Sequence, residues 1–103
     1  MGRTNGIDIS ADGAWLFVSE AFNKNWNPVS NVIWRYPIKK DGTLDTSRRA
    51  LVIDFGKADG SAKVDVDGMR LDARAGSPRL YVTRHTGGEV VVVEPTATNK
   101  ILR

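Results

Sequence analysis

The chain has 103 residues, with 15 lysines and arginines, 12 aspartates and glutamates, no cysteine and a formal net charge of +3. Its basic residues are scattered, and their only doublets, Lys39-Lys40 and Arg48-Arg49, lie in polar, turn-like stretches, which argues against a nucleic-acid partner. The lack of cysteine excludes disulfides and thiolate metal sites. No apolar run resembles a signal sequence or reaches membrane-spanning length, so we expect no membrane partner and favour a cytoplasmic location, with export left open.

The first half of the chain reads as four strands joined by turns. The predicted strands cover residues 5–10, 15–19, 32–38 and 50–55. The first of them alternates between apolar and polar side chains, which places Ile7 and Ile9 on one face. Asp12-Gly13 and Asp41-Gly42 supply the positive backbone angles that tight turns need. The polar stretch from Glu20 to Asn31 is predicted to be a loop.

The second half repeats this order and ends early. Its predicted strands cover residues 68–72, 79–84 and 89–94. A fourth strand is missing or barely begun at Ile101-Leu102. This ending leaves the apolar residues Val90–Val93 on an open sheet edge, which natural proteins avoid because such edges template aggregation. No segment combines helix caps with a 3.6-residue apolar stripe, so the chain is predicted to be all-β.

The two halves correspond segment by segment. The matches are Asn5-Gly6-Ile7-Asp8-Ile9-Ser10 with Asp67-Gly68-Met69-Arg70-Leu71-Asp72 at an offset of 62, Leu16-Phe17-Val18-Ser19 with Leu80-Tyr81-Val82-Thr83 at 64, and Pro37 with Pro95 at 58. Repeats of this size, built from short strands and turns, are typical of β-propeller blades. We therefore predict a single propeller domain, with blade one at about residues 5–55 and an incomplete blade two at about residues 67–103.

Two blades cannot close a core by themselves, because blades bury their faces against neighbours and a ring needs about four or more. Two explanations stay open. The chain is a piece of a longer propeller that supplies the remaining blades, or it is a subunit that self-associates, three copies making a six-bladed ring. In either case, equivalent positions of neighbouring blades lie at the same height around a central channel. Asn5 and Asp67 should therefore face one point on the axis.

Several segments resemble the senescence marker protein/gluconolactonase family, to which regucalcin and bacterial sugar lactonases belong. The resemblance rests on Thr4–Gly13, Asp67–Asp72, Leu80–Thr83 and Gly87–Val90, which stand in the family's order. It implies a six-bladed β-propeller, of which two four-stranded antiparallel blades make up about one-third. It also implies a divalent-metal-dependent hydrolase that acts on lactones or related esters.

The resemblance implies that Asn5 and Asp67 bind the metal. A glutamate from an early blade and a further asparagine near the family's site have no counterpart here, and Thr4 and Val66 stand where the family often has proline. Ca²⁺ is the expected metal, with Zn²⁺ or Mg²⁺ as alternatives, because Ca²⁺ takes oxygen ligands of mixed type. Asp67 is also the candidate catalytic residue, as the base that takes a proton from the attacking water.

Two other interpretations of these residues stay open. Asn-Gly and Asp-Gly are common turn dipeptides, so Asn5-Gly6 and Asp67-Gly68 need not bind a metal. A propeller can also be a binding scaffold without catalysis, because a fold does not fix its chemistry. The agreement between repeat positions favours the ligand interpretation.

In an antiparallel meander, the loop after the second strand returns to the end where the first strand began. Residues 20–31 and 84–88 should therefore rim the same mouth as Asn5 and Asp67. Two of the residues there have an alternative to a functional role. Trp26 could pack the long loop, and His85 could be an exposed residue of a polar loop. The candidate contacts to a small lactone or ester substrate are Glu20, Asn23, Trp26, Arg84 and His85.

Overall fold

The strand-rich sequence folds into two antiparallel sheets, in which the strands follow chain order. The elements are β1 (Arg3–Ile9), β2 (Trp15–Lys24), β3 (Asn27–Pro37), a 3-10 turn (Thr46–Arg48), β4 (Ala50–Asp54), α1 (Phe55–Ala58), β5 (Val66–Asp72), β6 (Arg79–Arg84) and β7 (Glu89–Val93). The computed structural model describes residues 3–24, 27–61, 64, 66–72, 78–84 and 88–102, with the backbone alone at residues 3, 23, 24 and 27–29. The predicted all-β class is confirmed.

The hairpin formed by β2 and β3 is longer than its sequence predicts. β2 continues to Lys24 and β3 begins at Asn27, so most of the segment 20–31 is paired strand rather than loop. Its pairs include Glu20–Val32, Ala21–Asn31 and Phe22–Ser30. The loop prediction was wrong because polar composition does not end a strand whose partner continues to pair with it.

A single helical turn opens the linker between the sheets. α1 begins after Asp54, whose side chain accepts a 3.0 Å hydrogen bond from the Gly56 N–H. The Asp59 N–H closes the turn by donating to Phe55 O at 3.2 Å. One turn is too short to show an apolar stripe, which is why the sequence pattern does not reveal it. Among the described residues, no helix is both long and apolar enough to cross a membrane.

The core lies between the two sheets and draws on both. Its buried members are Phe17, Ile33, Val52, Ile53, Phe55, Val66, Leu80, Val82, Val91 and Val93. Several of them stand at alternate positions of a strand, as expected where one face of the strand is buried. Met69 and Leu71 of β5 pack against this core and are partly buried. Removal of apolar surface from water therefore joins the two halves.

Polar contacts fix how the two halves meet. Arg35 Nη1 donates to Pro95 O at 2.7 Å. Asn99 has a positive φ of 56°, and its side-chain oxygen accepts the Asp54 N–H at 2.7 Å. The Asn99 N–H donates to Val52 O at 2.9 Å. These two bonds attach the turn that follows β7 to the edge of β4.

The segment after β7 turns back toward that strand. Val93 forms a bridge with Ile101, and the Leu102 N–H donates to Val92 O at 2.7 Å. The open edge predicted for residues 90–93 is therefore limited to its first part, where Val90 is 56% exposed.

The alternation predicted for β1 is present, but its apolar face is the exposed one. Ile7 and Ile9 are 61% and 53% exposed, whereas their repeat counterparts Met69 and Leu71 pack on the core. β1 turns Asp8 toward the second sheet, where its Oδ2 accepts a 2.7 Å hydrogen bond from the Leu71 N–H. The first sheet thus presents to solvent the face that the second sheet buries.

Candidate functional site

The predicted ligand Asn5 lies in a β-bulge. Regular pairing of β1 with β2 breaks between Thr4 and Ile7, where Asn5 and Gly6 together face the single residue Ser19. Two residues opposite one bend a strand and redirect its side chains. The Gly6 N–H donates to the Ser19 hydroxyl at 2.8 Å.

The predicted ligand Asp67 lies in the corresponding bulge of the second sheet. Pairing of β5 with β6 breaks between Val66 and Met69, where Asp67 and Gly68 face Thr83. The Gly68 N–H donates to the Thr83 hydroxyl at 2.8 Å, and the same hydroxyl donates to Gly68 O at 3.2 Å. The repeat found in the sequence therefore extends to backbone geometry and to a side-chain hydrogen bond.

The two bulges touch across the neighbouring strands β1 and β5. Asn5 Nδ2 donates to Val66 O at 3.0 Å. A Cβ atom added to Gly6 would lie 3.1 Å from Met69 Cε and 3.3 Å from Asp67 O, so a glycine at this position permits the close approach. Asn5 and Asp67, selected by their repeat positions, thus stand on adjoining stretches of backbone.

Both residues lie at the surface of the chain. Asn5 and Asp67 are exposed, and the bond to Val66 O uses the amide nitrogen of Asn5, which leaves its amide oxygen for a cation. Within the described residues, no group of three or more His, Cys, Asp or Glu side chains is placed to hold a metal ion. An amide oxygen and a carboxylate are ligand types that suit a hard divalent cation. The pair supplies two of the roughly six to eight oxygens that Ca²⁺ takes.

Glu20 lies beside the first bulge and is buried, with 4% exposure. It pairs with Thr4, the residue before Asn5. Its Oε1 accepts a 3.0 Å hydrogen bond from the Trp34 indole N–H, and the Arg49 guanidinium lies 4.0 Å from the centroid of that ring. Glu20 is thus part of the packing of its own sheet, and its contact with substrate stays a prediction.

Arg84 is the repeat counterpart of Glu20 and is equally buried, with 3% exposure. Its guanidinium lies 3.6 Å from the centroid of the Phe55 ring. It donates to the Ser61 carbonyl at 2.8 Å, to the Ser61 hydroxyl at 3.0 Å and to Val64 O. Arg84 therefore anchors the linker between the sheets, and its contact with substrate also stays a prediction.

Three further predicted substrate contacts have no described side chain. Trp26 and His85 lie outside the described residues, and Asn23 is described by its backbone, which pairs with Pro28. The β2–β3 hairpin that contains Asn23 extends past Glu20, at the end of the sheet where Asn5 lies.

A cavity of about 360 Å³ opens between the sheets at the other end of β1. Its lining includes Ser10, Asp12, Trp15, Arg35, Leu71 and Pro95. The cavity begins where β1 stops at Ile9, whereas Asn5 lies near the start of that strand. It takes no residue from the bulges, so it is separate from the candidate metal site.

The sequence pattern does not single out the two hydroxyl residues of the bulges. Ser19 and Thr83 end the matched segments Leu16–Ser19 and Leu80–Thr83, so their equivalence is visible from the offset. Their hydrogen bonds are not, because each one depends on which backbone N–H the pairing register brings opposite the hydroxyl.

Comparison with known proteins confirms the family that the sequence resembles. Residues 1–102 match the family described as SMP-30/Gluconolactonase/LRE-like region. No curated protein and no solved structure matches the chain significantly. The β-propeller fold of the matched family agrees with the two antiparallel sheets, which we therefore describe as blades.

Proposed function

This chain belongs to the SMP-30/gluconolactonase/LRE-like family, and we propose that it forms part of a divalent-metal-dependent hydrolase that opens sugar lactones or related esters. The family includes lactonases, which supports the reaction class. The observation that carries the proposal is the pair of matching bulges, which brings Asn5 and Asp67 together from equivalent positions of two repeats. If Asn5-Gly6 and Asp67-Gly68 served only as turns, they would not need to occupy matching bulges of the two repeats.

In this proposal, the amide oxygen of Asn5 and the carboxylate of Asp67 bind the cation. Both are hard oxygen donors, which favours Ca²⁺, with Zn²⁺ or Mg²⁺ as alternatives. A cation bound there supplies a Lewis acid that polarises the lactone carbonyl and stabilises the negative charge developing on its oxygen.

The two ligand residues differ in what else they can do. The Asp67 carboxylate can also accept a proton from the water that attacks the carbonyl carbon, which makes it the proposed catalytic residue. The Asn5 amide is neutral and cannot serve as that base, so its task is to bind and orient. Its hydrogen bond to Val66 O holds the amide beside the second bulge before substrate arrives.

The proposal requires ligands beyond Asn5 and Asp67, because two donors leave Ca²⁺ short of its usual roughly six to eight oxygens. We propose that further blades supply them, either from a longer polypeptide or from associated copies of this chain. Such blades would also complete a channel in which a small lactone or ester is held. The proposed substrate contacts at this end of the blades are Glu20, Asn23, Trp26, Arg84 and His85.

The direct experiment is a chimera in which residues 3–102 replace the corresponding two blades of an active gluconolactonase of this family. We expect calcium-dependent hydrolysis of a sugar lactone, lost on addition of EDTA. Asp67→Ala should abolish turnover because it removes both the charge and the proposed base. Asn5→Ala should weaken calcium affinity to a smaller extent because it removes no charge. Asp41→Asn, on an exposed turn, is the control and should leave turnover unchanged.

A folded chimera that hydrolyses no lactone, or one whose turnover survives Asp67→Ala, would contradict the proposed function in favour of a binding scaffold. The 103-residue chain assayed as a monomer should bind Ca²⁺ more weakly than about 1 mM and hydrolyse nothing, because water must supply most ligands. Tighter binding or turnover by the monomer would show that the site is not shared among more blades.

A further inference from the structure

We propose that Ser19 and Thr83 are positioning residues whose hydroxyl groups aim Asn5 and Asp67 by fixing the two bulges. The consequence for metal binding rests on the function proposed above, whereas the aiming itself follows from the geometry of the chain. The proposal assigns a role to one residue on β2 and one on β6, neither of which is itself a proposed ligand.

The hydrogen bond in each bulge acts on the backbone of the ligand residue. The Gly6 N–H belongs to the peptide unit that follows the Asn5 Cα atom, so its direction is set by the ψ angle of Asn5. When the Ser19 hydroxyl holds that N–H at 2.8 Å, it restricts this angle. The path of the backbone on either side of Asn5 Cα determines where its side chain points.

The same arrangement in the second sheet involves both polar groups of one glycine. The Thr83 hydroxyl accepts a hydrogen bond from the Gly68 N–H at 2.8 Å and donates one to Gly68 O at 3.2 Å. The N–H contact restricts the ψ angle of Asp67 in the way that Ser19 restricts that of Asn5. Two hydroxyls, from different residue types, thus make the same contact in two repeats.

The two hydrogen bonds differ in burial. This difference distinguishes a positioning role of the hydroxyls from the need to satisfy a buried N–H. Ser19 is 3% exposed, and a buried N–H beside it needs an acceptor for stability alone. Thr83 is exposed, and water could satisfy the Gly68 N–H in its place. Because the contact is present where stability does not demand it, the shared feature of the two sites is the bulge that carries a proposed ligand.

The test compares Thr83→Val and Ser19→Ala, which lack the hydroxyl, with Thr83→Ser and Ser19→Thr, which exchange the residues of the two repeats and keep it. The first readout is made on the metal-free chain. Three-bond NMR couplings from the side-chain Cγ to the backbone nitrogen and carbonyl carbon report the χ1 angle of Asn5 and Asp67. We expect a single χ1 rotamer of Asn5 and of Asp67 in the wild type and in Thr83→Ser and Ser19→Thr. In Thr83→Val we expect rotamer averaging at Asp67 only, and in Ser19→Ala at Asn5 only.

The second readout is binding of Mn²⁺ alone, followed by line broadening of the same residues. Loss of a group that orients a ligand weakens metal binding by about 10- to 100-fold, so Thr83→Val should show such a loss and Thr83→Ser should not. An unchanged single rotamer in both Thr83→Val and Ser19→Ala would overturn the positioning role. Should Ser19→Ala fail to fold, Thr83→Val at its exposed position decides the question.

The two readouts distinguish the failure of this proposal from the failure of the proposed function. If the wild type binds no Mn²⁺ near Asn5 and Asp67, the metal role fails, and the χ1 angles still decide whether the hydroxyls aim the side chains. If Mn²⁺ binds equally to the wild type and to Thr83→Val, the metal role stands and the positioning role is overturned.

Discussion

At the scale of single residues, the candidate site depends on how closely β1 approaches β5. Gly6 lies at the point of contact, where a Cβ atom would meet Met69 Cε at 3.1 Å and Asp67 O at 3.3 Å. Distances this short require the neighbours to move, and the second neighbour is backbone of the proposed ligand. Gly6 therefore couples the packing of the two blades to the geometry of the site.

We expect Gly6→Ala to lower the free energy of unfolding by about 1–3 kcal/mol, because overpacking forces backbone shifts. Gly68→Ala is the matched control from the other repeat, since the nearest atom to its Cβ, Thr83 Oγ1, would lie at an ordinary 3.5 Å. Chemical denaturation of both variants measures the difference. Equal losses of stability would show that the close approach at Gly6 is not what the alanine disturbs.

The equivalent placement of the proposed ligands Asn5 and Asp67 could be predicted from the sequence, whereas the burial of their neighbours could not. Asn5 and Asp67 are found by the offset between repeats, and offset arithmetic needs no tertiary information. Glu20 and Arg84 also occupy equivalent repeat positions, at an offset of 64, yet the sequence does not show that both are buried. Their burial depends on Trp34 of a paired strand and on Phe55 of a short helix, and such nonlocal contacts leave no local pattern.

At the scale of elements, several turns contain a carboxylate that accepts hydrogen bonds from a residue two positions away, and in three of these turns the bonds lower the pKa of the carboxylate. The Ser10 hydroxyl, followed by the Ala14 N–H, holds the pKa of Asp12 below its usual 3.8. The Thr43 hydroxyl and N–H hold the pKa of Asp41 below 3.8 in the same way.

Glu94 follows the same pattern after β7, where the Thr96 hydroxyl and N–H hold its pKa below the usual 4.5. A pKa that is lower in the folded state adds stability that is fully present above the unfolded value and is lost as the pH falls through the folded value. The carboxylates of these three turns should therefore stabilise the fold above their unfolded pKa values, and this contribution should be lost as the pH falls through the lower folded values.

We expect the denaturation midpoint to be level between about pH 7 and pH 5 and to fall as the pH drops toward about 2. Asp41→Asn removes one of the contributing carboxylates, so the decline should be shallower in this variant. The measurement is a series of denaturation curves for both proteins across this range. A midpoint that stays level or rises on acidification would contradict the assignment of these turns.

Arg84 links β6 to the segment between the sheets through its guanidinium, and we expect Arg84→Lys to destabilise the fold. Lysine keeps the charge but lacks the planar fork that reaches the Ser61 and Val64 carbonyls while stacking on Phe55. The expected loss is about 2 kcal/mol, from buried acceptors left without a donor. Arg70→Lys, at an exposed position of β5, is the control. Similar melting curves for the two variants would argue against this anchor.

The order and type of the strands follow from apolar alternation and Asp-Gly turns, which act locally and are readable in the sequence. The extent of the β2–β3 hairpin does not, because its outer pairs, such as Ala21–Asn31 and Lys24–Asn27, carry no apolar alternation that would mark a strand. The helical turn α1 depends on a side-chain cap from Asp54, a single residue without periodicity around it. The predictable elements are thus those with a repeating pattern.

At the scale of the whole molecule, equivalent faces of the two blades differ in how far they are buried. The outer face of the first blade is defined here by Ile7, Ile9, Leu16 and Val18. Its repeat counterparts Met69, Leu71, Leu80 and Val82 all lie in or against the core between the blades. This face is core in the second repeat, whereas in the first repeat Ile7 and Ile9 are exposed and Leu16 and Val18 are half-buried, so it is suited to contact with a further blade.

We therefore expect the 103-residue chain to associate in a concentration-dependent way, as measured by sedimentation velocity. Replacing both Ile7 and Ile9 by Glu should make the chain monomeric, because it places charge on the outer face. Lys40→Glu, on an exposed turn, is the control for a change of charge and should leave association unaltered. A discrete trimer would support the ring formed by self-association. A wild-type chain that stays monomeric at high concentration would contradict the interpretation of this face.

In the proposed site, Asn5 and Asp67, one from each blade, share one divalent cation. Paramagnetic line broadening by Mn²⁺, observed at each assigned residue of the metal-free chain, tests it most directly. We expect broadening to be strongest at both bulges, and Asp67→Asn to remove it from Asn5 as well as from position 67. Broadening confined to one bulge, centred on another carboxylate such as Asp12, or retained at Asn5 in Asp67→Asn would contradict a shared site.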